Sequence, residues 1–243
     1  MRIRLTVSYR GTRYSGWQVQ PHAPSVQGEL QAVASRVCEE KTKVTGASRT
    51  DAGVHALGQV CHFDPSRALP LHRWQRAFDG MLPEDIRILA CEQADDDFHA
   101  RFSARRKTYL YYIDPAPIAS PFLSPFSWHR PHLQNVDAMR EAASHLVGPV
   151  CQRVFASQPQ GDRPVRTIER FEVEVGRLLV VTVESRSFMR HAVRGMVGSL
   201  LEVGYGRRHP REIEAMAQAS AGHPPMVKAP PEGLFLARVE YGV

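Results

Sequence analysis

The stretch that decides the fold runs Gly46-Ala47-Ser48-Arg49-Thr50-Asp51-Ala52-Gly53-Val54-His55-Ala56-Leu57-Gly58-Gln59-Val60. It brings an arginine, a carboxylate and a histidine together within seven residues, just before an apolar run. The apolar residues on both sides are typical of strand ends, which predicts a loop between two strands, where rigid sheets often hold catalytic groups. Gly53 permits the positive φ that such a turn requires. The alternative is an ordinary turn made by Asp51 and Gly53, with Arg49 solvated beside it.

The composition is that of a globular chain with an excess of positive charge. Of its 243 residues, 43% are hydrophobic and 23% are charged, which suits one large domain or two small ones. The net charge of +6 favours a polyanionic partner. Four widely separated cysteines without a Cys-x-x-Cys pair predict reduced, buried thiols and no metal site. Without a signal peptide or a bilayer-length apolar run, we expect a cytoplasmic protein that does not enter membranes.

The first half predicts helices packed on a sheet. Residues 2–9 alternate apolar and polar, as in a half-buried strand. Ser25 is the expected N-cap of an amphipathic helix over residues 26–40, and a second helix is predicted over residues 70–81. A strand from Ile86 to Glu92 follows. Strand, helix, strand, motif loop and strand in this order predict an α+β arrangement.

The second half repeats this rhythm after a solvated loop of three acids at 95–97. A strand near 105–113 places Tyr109 and Tyr111 on one face. A helix capped by Asn135 and a hairpin around Gly176 come next, followed by helices over residues 188–200 and 210–220 and a final strand. In the helix over 188–200, Arg190 and Arg194 are four residues apart and are predicted to share a face.

Three segments carry a resemblance to a known family. They are Arg49 to Ala56, Asp97-Phe98-His99-Ala100-Arg101-Phe102-Ser103-Ala104, and Lys107-Thr108-Tyr109-Leu110-Tyr111. Together they resemble the signatures of the tRNA pseudouridine synthase A (TruA) family, over about residues 3 to 240. Ser48 departs from the glycine usual in bacterial members. The likeness is weakest at 115–166, where only Phe155 remains of a typical Asp-Phe-x-x-Phe segment. Within this stretch, the sequence of residues 158–163 predicts a turn-rich, mobile loop.

The resemblance implies the pseudouridine synthase fold, an α+β fold of two related subdomains. Each subdomain would have a mainly antiparallel sheet flanked by helices, with a cleft between the two. Residues 1–105 would carry the loop of Asp51, and residues 106–243 would complete the cleft.

The resemblance also assigns roles within the site. Asp51 would be the nucleophile, and Arg194 would be the cation paired with it, since a buried carboxylate needs compensation to stay ionised. Tyr109 would pack on the flipped uracil, and its hydroxyl would assist proton removal from C5. Arg49, two residues before the nucleophile, would fill the gap left in the RNA or hold the displaced backbone. Arg101 would lie on the side of the cleft that meets RNA. Attack at ribose C1′ and attack at uracil C6 both remain open. No cofactor and no metal are implied.

The substrate implied by the resemblance is tRNA, modified at uridines 38 to 40 of the anticodon stem-loop by a homodimer that touches the tRNA with both subunits. Two alternatives stand beside this isomerase. One is a catalytically inactive RNA-binding homologue. The other is a two-carboxylate glycoside hydrolase that would pair Asp51 with an acid from residues 95–97, although it leaves the arginine excess unexplained.

Overall fold

The computed structural model describes residues 1–157, 164–218 and 227–242. Over these residues the strands are β1 (Arg2–Tyr9), β2 (Thr45–Gly46), β3 (His55–Phe63), β4 (Ile86–Ala94), β5 (Ala104–Asp114), β6 (Trp128–His129), β7 (Gly148–Cys151), β8 (Val165–Val175), β9 (Leu179–Ser185) and β10 (Leu234–Tyr241). The α-helices are α1 (Val26–Cys38), α2 (Leu71–Met81), α3 (Val136–Ser144), α4 (Ala192–Gly204) and α5 (Pro210–Gln218). None of the described helices is both long enough and apolar enough to cross a lipid bilayer.

The chain forms two compact units, one of Met1–Arg105 with Phe235–Val243 and one of Arg106–Leu234. The chain passes from the first unit to the second between residues 105 and 106. The last strand, however, belongs to the first unit, whereas the sequence analysis assigned all of 106–243 to the second subdomain. The physical reason is pairing, because β10 runs parallel to β3 and hydrogen-bonds to it at Phe235 and Leu236.

The first unit is a sheet in the order β4-β1-β3-β10, with β2 added to β3 and the first three strands antiparallel. Strand β1 is half-buried as predicted, because its alternating apolar residues form one buried face. Helices α1 and α2 pack against each other, and α2 covers β4. The ring of Trp74 on α2 meets that of Phe63 on β3 at 5.1 Å, which ties the helix layer to the central strand. The hydroxyl of Ser25 caps α1 as predicted, accepting the N–H of Gly28 at 3.2 Å.

The second unit is an antiparallel sheet in the order β5-β9-β8-β7, with β6 added in parallel to β5. Asn135 caps α3 as predicted, its Oδ1 accepting the N–H of Ala138 at 2.9 Å. Helix α3 packs against α4 and α5. Nearly every side chain of α4 is buried, which makes it the central helix of this unit. The two units together confirm the predicted α+β class with mainly antiparallel strands.

Three details differ from the sequence-based expectation. Helix α4 begins at Ala192, after His191 in the left-handed region at φ 65°, so Arg190 lies outside the helix and the predicted shared face of Arg190 and Arg194 is wrong. All four cysteines are free as predicted, but Cys91 on β4 is only half-buried because its strand lies at the sheet edge. The turn-rich segment 158–163, predicted to be mobile, lies outside the described residues, as do 219 and 220 at the end of the predicted fifth helix.

Candidate active site

The motif loop connects β2 to β3, as the sequence predicted. Gly53 has φ 78°, and the N–H of Val54 closes the turn on the carbonyl of Asp51 at 3.1 Å. The Asp51 side chain is half-buried, whereas that of Arg49 is exposed. An aspartate and an arginine two residues apart therefore stand at the tip of a tight turn, one partly shielded from water and the other open to it.

The base of the loop is held by β3. Gln59 is fully buried, and its side-chain amide makes two hydrogen bonds to the backbone of Ser48. Its Nε2 donates to the Ser48 carbonyl at 2.8 Å, and its Oε1 accepts the Ser48 N–H at 3.2 Å. The N–H of Ala47 donates to the carbonyl of Val60 at 2.8 Å. These bonds fix the chain where it enters the loop.

The top of the loop is held by the segment after β1. The N–H of Trp17 donates to the carbonyl of Thr50 at 3.0 Å, and the N–H of Gly53 donates to the carbonyl of Tyr14 at 3.3 Å. The hydroxyls of Tyr9 and Thr50 are hydrogen-bonded at 2.7 Å. The residues on both sides of Asp51 are thus tied to a second segment of the chain.

This close approach depends on two glycines. At Gly11 a Cβ would collide with the carbonyl oxygen of Val54. At Gly16, which has φ 101°, a Cβ would lie 2.7 Å from the carbonyl oxygen of Thr50. Both glycines are needed because backbone here packs directly on backbone.

His55, at the end of the loop, is 1% exposed and has a structural position. Its Nδ1 accepts the N–H of Gly11 at 3.1 Å, and its ring stacks on Phe235 of β10 at 4.6 Å. Since Nδ1 is an acceptor, the ring carries its proton on Nε2. The histidine of the motif therefore joins the loop both to the segment after β1 and to β10.

A buried charge lies behind the second segment. The Tyr14 hydroxyl donates to Oδ1 of Asp85 at 2.6 Å, and the guanidinium of Arg13 lies 3.3 Å from Oδ2. The Asp85 side chain is fully buried, so these two partners compensate its charge. Burial and then the bond to Asp85 raise the pKa of Tyr14, because both disfavour the phenolate.

The other predicted site residues lie elsewhere. Arg101 is exposed on the turn between β4 and β5. The N–H of its neighbour Ala100 donates to Nδ1 of His62, seven residues along β3 from His55, so Arg101 lies on the order of 20 Å from the end of the loop that carries Asp51. The structure thus brings Arg49 and Asp51 together in one loop and keeps Arg101 apart from them.

In the second unit, Tyr109 lies on β5 opposite Val183 and is 7% exposed. Its ring meets that of Phe188 edge to face at 5.3 Å. Arg194 lies in the first turn of α4 and is 8% exposed, with Nε donating to the carbonyl of Ala229 at 2.7 Å. Each of the two side chains is therefore buried in its unit and has a defined contact there.

Sequence reasoning missed the residues that hold the loop, above all Gln59, Tyr14 and Asp85. Gln59 lies inside the quoted motif, and a lone polar residue in an apolar strand was the available signal. Asp85 had no such signal, because its partner Tyr14 is 71 residues away. Among the described residues, no cluster of three or more histidine, cysteine or acidic side chains could hold a metal ion.

Comparison with known proteins shows the family of the chain. The family profile described as tRNA pseudouridine synthase matches residues 5–103 and 142–242, which include the motif loop and α4. The chain belongs to the tRNA pseudouridine synthase family, whose members isomerise uridine to pseudouridine in tRNA.

Individual relatives match the chain over its length. A tRNA pseudouridine synthase A of Brevibacillus brevis is 40% identical over 242 residues, which cover 99% of each chain. That of an Exiguobacterium species is 38% identical over 242 residues, covering 99% of this chain and 98% of the relative. Among solved structures, an archaeal box H/ACA Nop10–Cbf5 complex aligns with 82% of this chain and 43% of that chain at 14% identity and a TM-score of 0.33, too small a likeness to carry an argument.

Proposed function

We propose that the chain isomerises uridine in tRNA with Asp51 as the nucleophile. The observation that carries this proposal is the motif loop, in which a half-buried carboxylate is presented by a turn whose backbone is fixed on both sides. A nucleophile must meet its target atom in one geometry, and such fixing lowers the entropic part of the barrier. Family membership sets aside the glycoside hydrolase alternative.

The chemistry is balanced without an external reactant. The bond from ribose C1′ to uracil N1 breaks, the base turns, C1′ bonds to C5, and the proton on C5 is lost while N1 gains one. The Asp51 carboxylate would form the transient covalent bond, at C1′ or at C6, and be released unchanged. No oxidant, metal or group donor is required by this balance.

Arg194 is proposed as the cation that pairs with Asp51. A guanidinium that is 8% exposed needs an anionic or strongly polar partner, because desolvating a charge is costly. Its Nε donates to the carbonyl of Ala229 at 2.7 Å, which holds the guanidinium at the first turn of α4. An aspartate carboxylate that enters a dry pocket needs a nearby cation to stay ionised, and Arg194 would supply it.

Tyr109 is proposed to stack on the target uracil, and Arg49 to occupy the space that the base leaves. Removing a base from its stack costs roughly a few kcal/mol, which an aromatic face recovers in part. The ring of Tyr109 contacts that of Phe188 edge to face at 5.3 Å, and the exposed Arg49 stands two residues from the proposed nucleophile. Arg101 is proposed to contact RNA away from the reacting base.

The proposed targets are uridines 38 to 40 of the anticodon stem-loop, and the proposed assembly is a homodimer in the cytoplasm, where tRNA is found. These features come from the resemblance to the family, and the net charge of +6 suits a tRNA partner. Sedimentation of the protein with and without tRNA tests the dimer.

The deciding experiment measures tritium release from C5-labelled uridine in unmodified tRNA. Wild type should release tritium, and Asp51→Asn should release none. Asp79→Asn, an exposed aspartate on α2, is the matched control and should behave as wild type. If Asp51→Asn turns over normally, the nucleophile is another residue. If wild type binds tRNA without release, the chain is the inactive RNA-binding homologue.

Mapping the modified positions with chemical probing and primer extension then tests the targets. Modification confined to positions 38 to 40 supports the proposal, and modification elsewhere contradicts it. Arg194→Lys should retain more of the wild-type activity than Arg194→Met, because lysine keeps the positive charge and methionine does not.

A further inference from the structure

An exposed aromatic ring lies at the end of β3 that is remote from Asp51. Phe102 is 68% exposed, although a phenyl ring gains free energy from burial. A single exposed apolar residue is ordinary on a protein surface. Phe102 differs from such a residue because other rings and an arginine lie in contact with it.

Phe102 is the outer member of a row of three rings in contact, of which His62 and His99 meet edge to face. Its centroid lies 4.3 Å from that of His99 at an interplanar angle of 32°, and the His99 ring lies 4.9 Å from that of His62. The guanidinium carbon of Arg101 lies 5.7 Å from the Phe102 centroid. These four residues, His62, His99, Arg101 and Phe102, are here called the Phe102 platform.

The turn that carries the platform is fixed by hydrogen bonds. Nδ1 of His99 accepts the N–H groups of both Arg101 and Phe102, at 3.1 and 3.2 Å. The N–H of Ala100 donates to Nδ1 of His62 at 3.1 Å, and the Tyr241 hydroxyl donates to the Ala100 carbonyl at 2.7 Å. The backbone that carries the exposed ring is therefore held in place, which reduces the entropy lost on binding.

The charges around the platform favour RNA over an apolar protein surface. The pKa of His99 is lowered, first by burial and then by the charges of Arg2, Arg101 and Lys43, so this ring is uncharged near pH 7. The three exposed acids at 95–97 come just before the turn and would repel a phosphate placed there. A nucleobase stacked on the ring is uncharged and is therefore not repelled by the three acids. Its phosphate can then lie towards Arg101.

We propose that the Phe102 platform binds a nucleobase of the tRNA by stacking, at a second contact on the order of 20 Å from the reacting uridine. This contact rests on the proposed tRNA substrate and adds a binding site to it. Because every base has an apolar face, the contact tolerates different sequences, and it acts on affinity rather than on the chemical step.

The test compares Phe102→Ala with Phe102→Tyr and with Phe122→Ala. Phe122 is 86% exposed in the second unit and makes no ring contact among the described residues, so it is the matched control. With full-length unmodified tRNA at fixed salt, Phe102→Ala should weaken binding about tenfold or more, with the loss in Kd and KM rather than in kcat. Phe102→Tyr and Phe122→Ala should stay within about twofold of wild type, since the first keeps a stacking ring.

A direct readout comes from Phe102→Trp, because stacking on a base quenches the fluorescence of the added indole. The three natural tryptophans are buried, so the added signal can be resolved. Quenching by tRNA supports the proposal. Unchanged affinity in Phe102→Ala, or an equal loss in Phe122→Ala, overturns it.

A change from dimer to monomer in Phe102→Ala, measured by sedimentation, also overturns the proposal, because the ring would then belong to an interface with a second copy. Failure of the proposed function is distinguishable from these outcomes. It appears as absent tritium release by wild type, whereas the platform is judged from the binding of variants relative to wild type.

Discussion

Gln59 and Ser48 form a closed pair, in which one buried side-chain amide satisfies both backbone groups of the residue three before Asp51. No rotation of the Ser48 backbone is possible without losing both bonds. The register of the motif loop is therefore set by β3, the strand that follows the loop.

Replacing Gln59 with leucine should uncouple the loop from β3. The variant leaves two backbone groups of Ser48 without their partners, which should lower the free energy of unfolding by about 2 kcal/mol. Displacement of Asp51 should lower kcat between about tenfold and 100-fold. Urea denaturation and tritium release measure the two effects. Gln75→Leu removes a side-chain bond to the backbone of β4 and should leave kcat unaltered.

Gly11→Ala should damage folding and activity together. Its methyl group would meet the Val54 carbonyl, and neither backbone can move without breaking the bonds around the loop. The free energy of unfolding should fall by about 3 kcal/mol or more. Gly80→Ala on α2 is the opposite control, since its Cβ meets nothing within 4 Å and alanine should stabilise the helix by about 0.5 to 1 kcal/mol. Equal thermal midpoints for both variants would contradict the close approach.

Tyr14→Phe should expose the cost of the buried Asp85 charge. The variant removes a 2.6 Å bond to a carboxylate whose side chain is fully buried, so unfolding should become easier by about 2 kcal/mol. Tyr205→Phe loses a 3.1 Å bond to a neutral carbonyl and should cost less, about 1 kcal/mol. Chemical denaturation of the pair gives the comparison. A Tyr14→Phe cost no larger than that of Tyr205→Phe would mean that Asp85 is compensated without the tyrosine.

Stability should fall in mild acid because of His62. Burial, then the charges of Arg2 and His99, lower the pKa of His62 to about 4, against an ordinary value of 6.5. The unfolded chain therefore binds this proton at a higher pH than the folded chain does. The free energy of unfolding should decrease by about 2 kcal/mol between about pH 7.5 and about pH 5 through this group alone.

His62→Asn is the control for that pH dependence. Asparagine can accept the N–H of Ala100 in place of Nδ1 and has no proton to gain. Its denaturation midpoints should change less between the two pH values than those of wild type. The same slope in both proteins would assign the pH dependence to other groups.

Local chemistry explains which parts of the fold could be predicted from sequence. Strict alternation predicted β1, and short polar caps predicted the starts of α1 and α3, because these signals lie within a few residues. The motif loop was predicted for the same reason, since Gly53 and the flanking apolar residues determine a turn between strands.

Long-range contacts explain what could not be predicted. The spacing of apolar residues extends a helix back to 188, yet the N–H of Met189 donates to Oε1 of Gln152 and the carbonyl of Arg190 accepts the N–H of Ser157. Those bonds hold the chain outside a helix until Ala192. Likewise, nothing local indicates that β10 pairs with β3 or that Tyr14 meets Asp85.

The pairing of β10 with β3 has a consequence for the order of synthesis. Phe235, on which His55 stacks, leaves the ribosome after all of residues 106–234. Residues 106–234 can therefore finish folding while the earlier unit still lacks a strand. The support of the motif loop is completed only when β10 arrives, so a nascent or prematurely released chain cannot yet hold the loop of Asp51 in its final geometry.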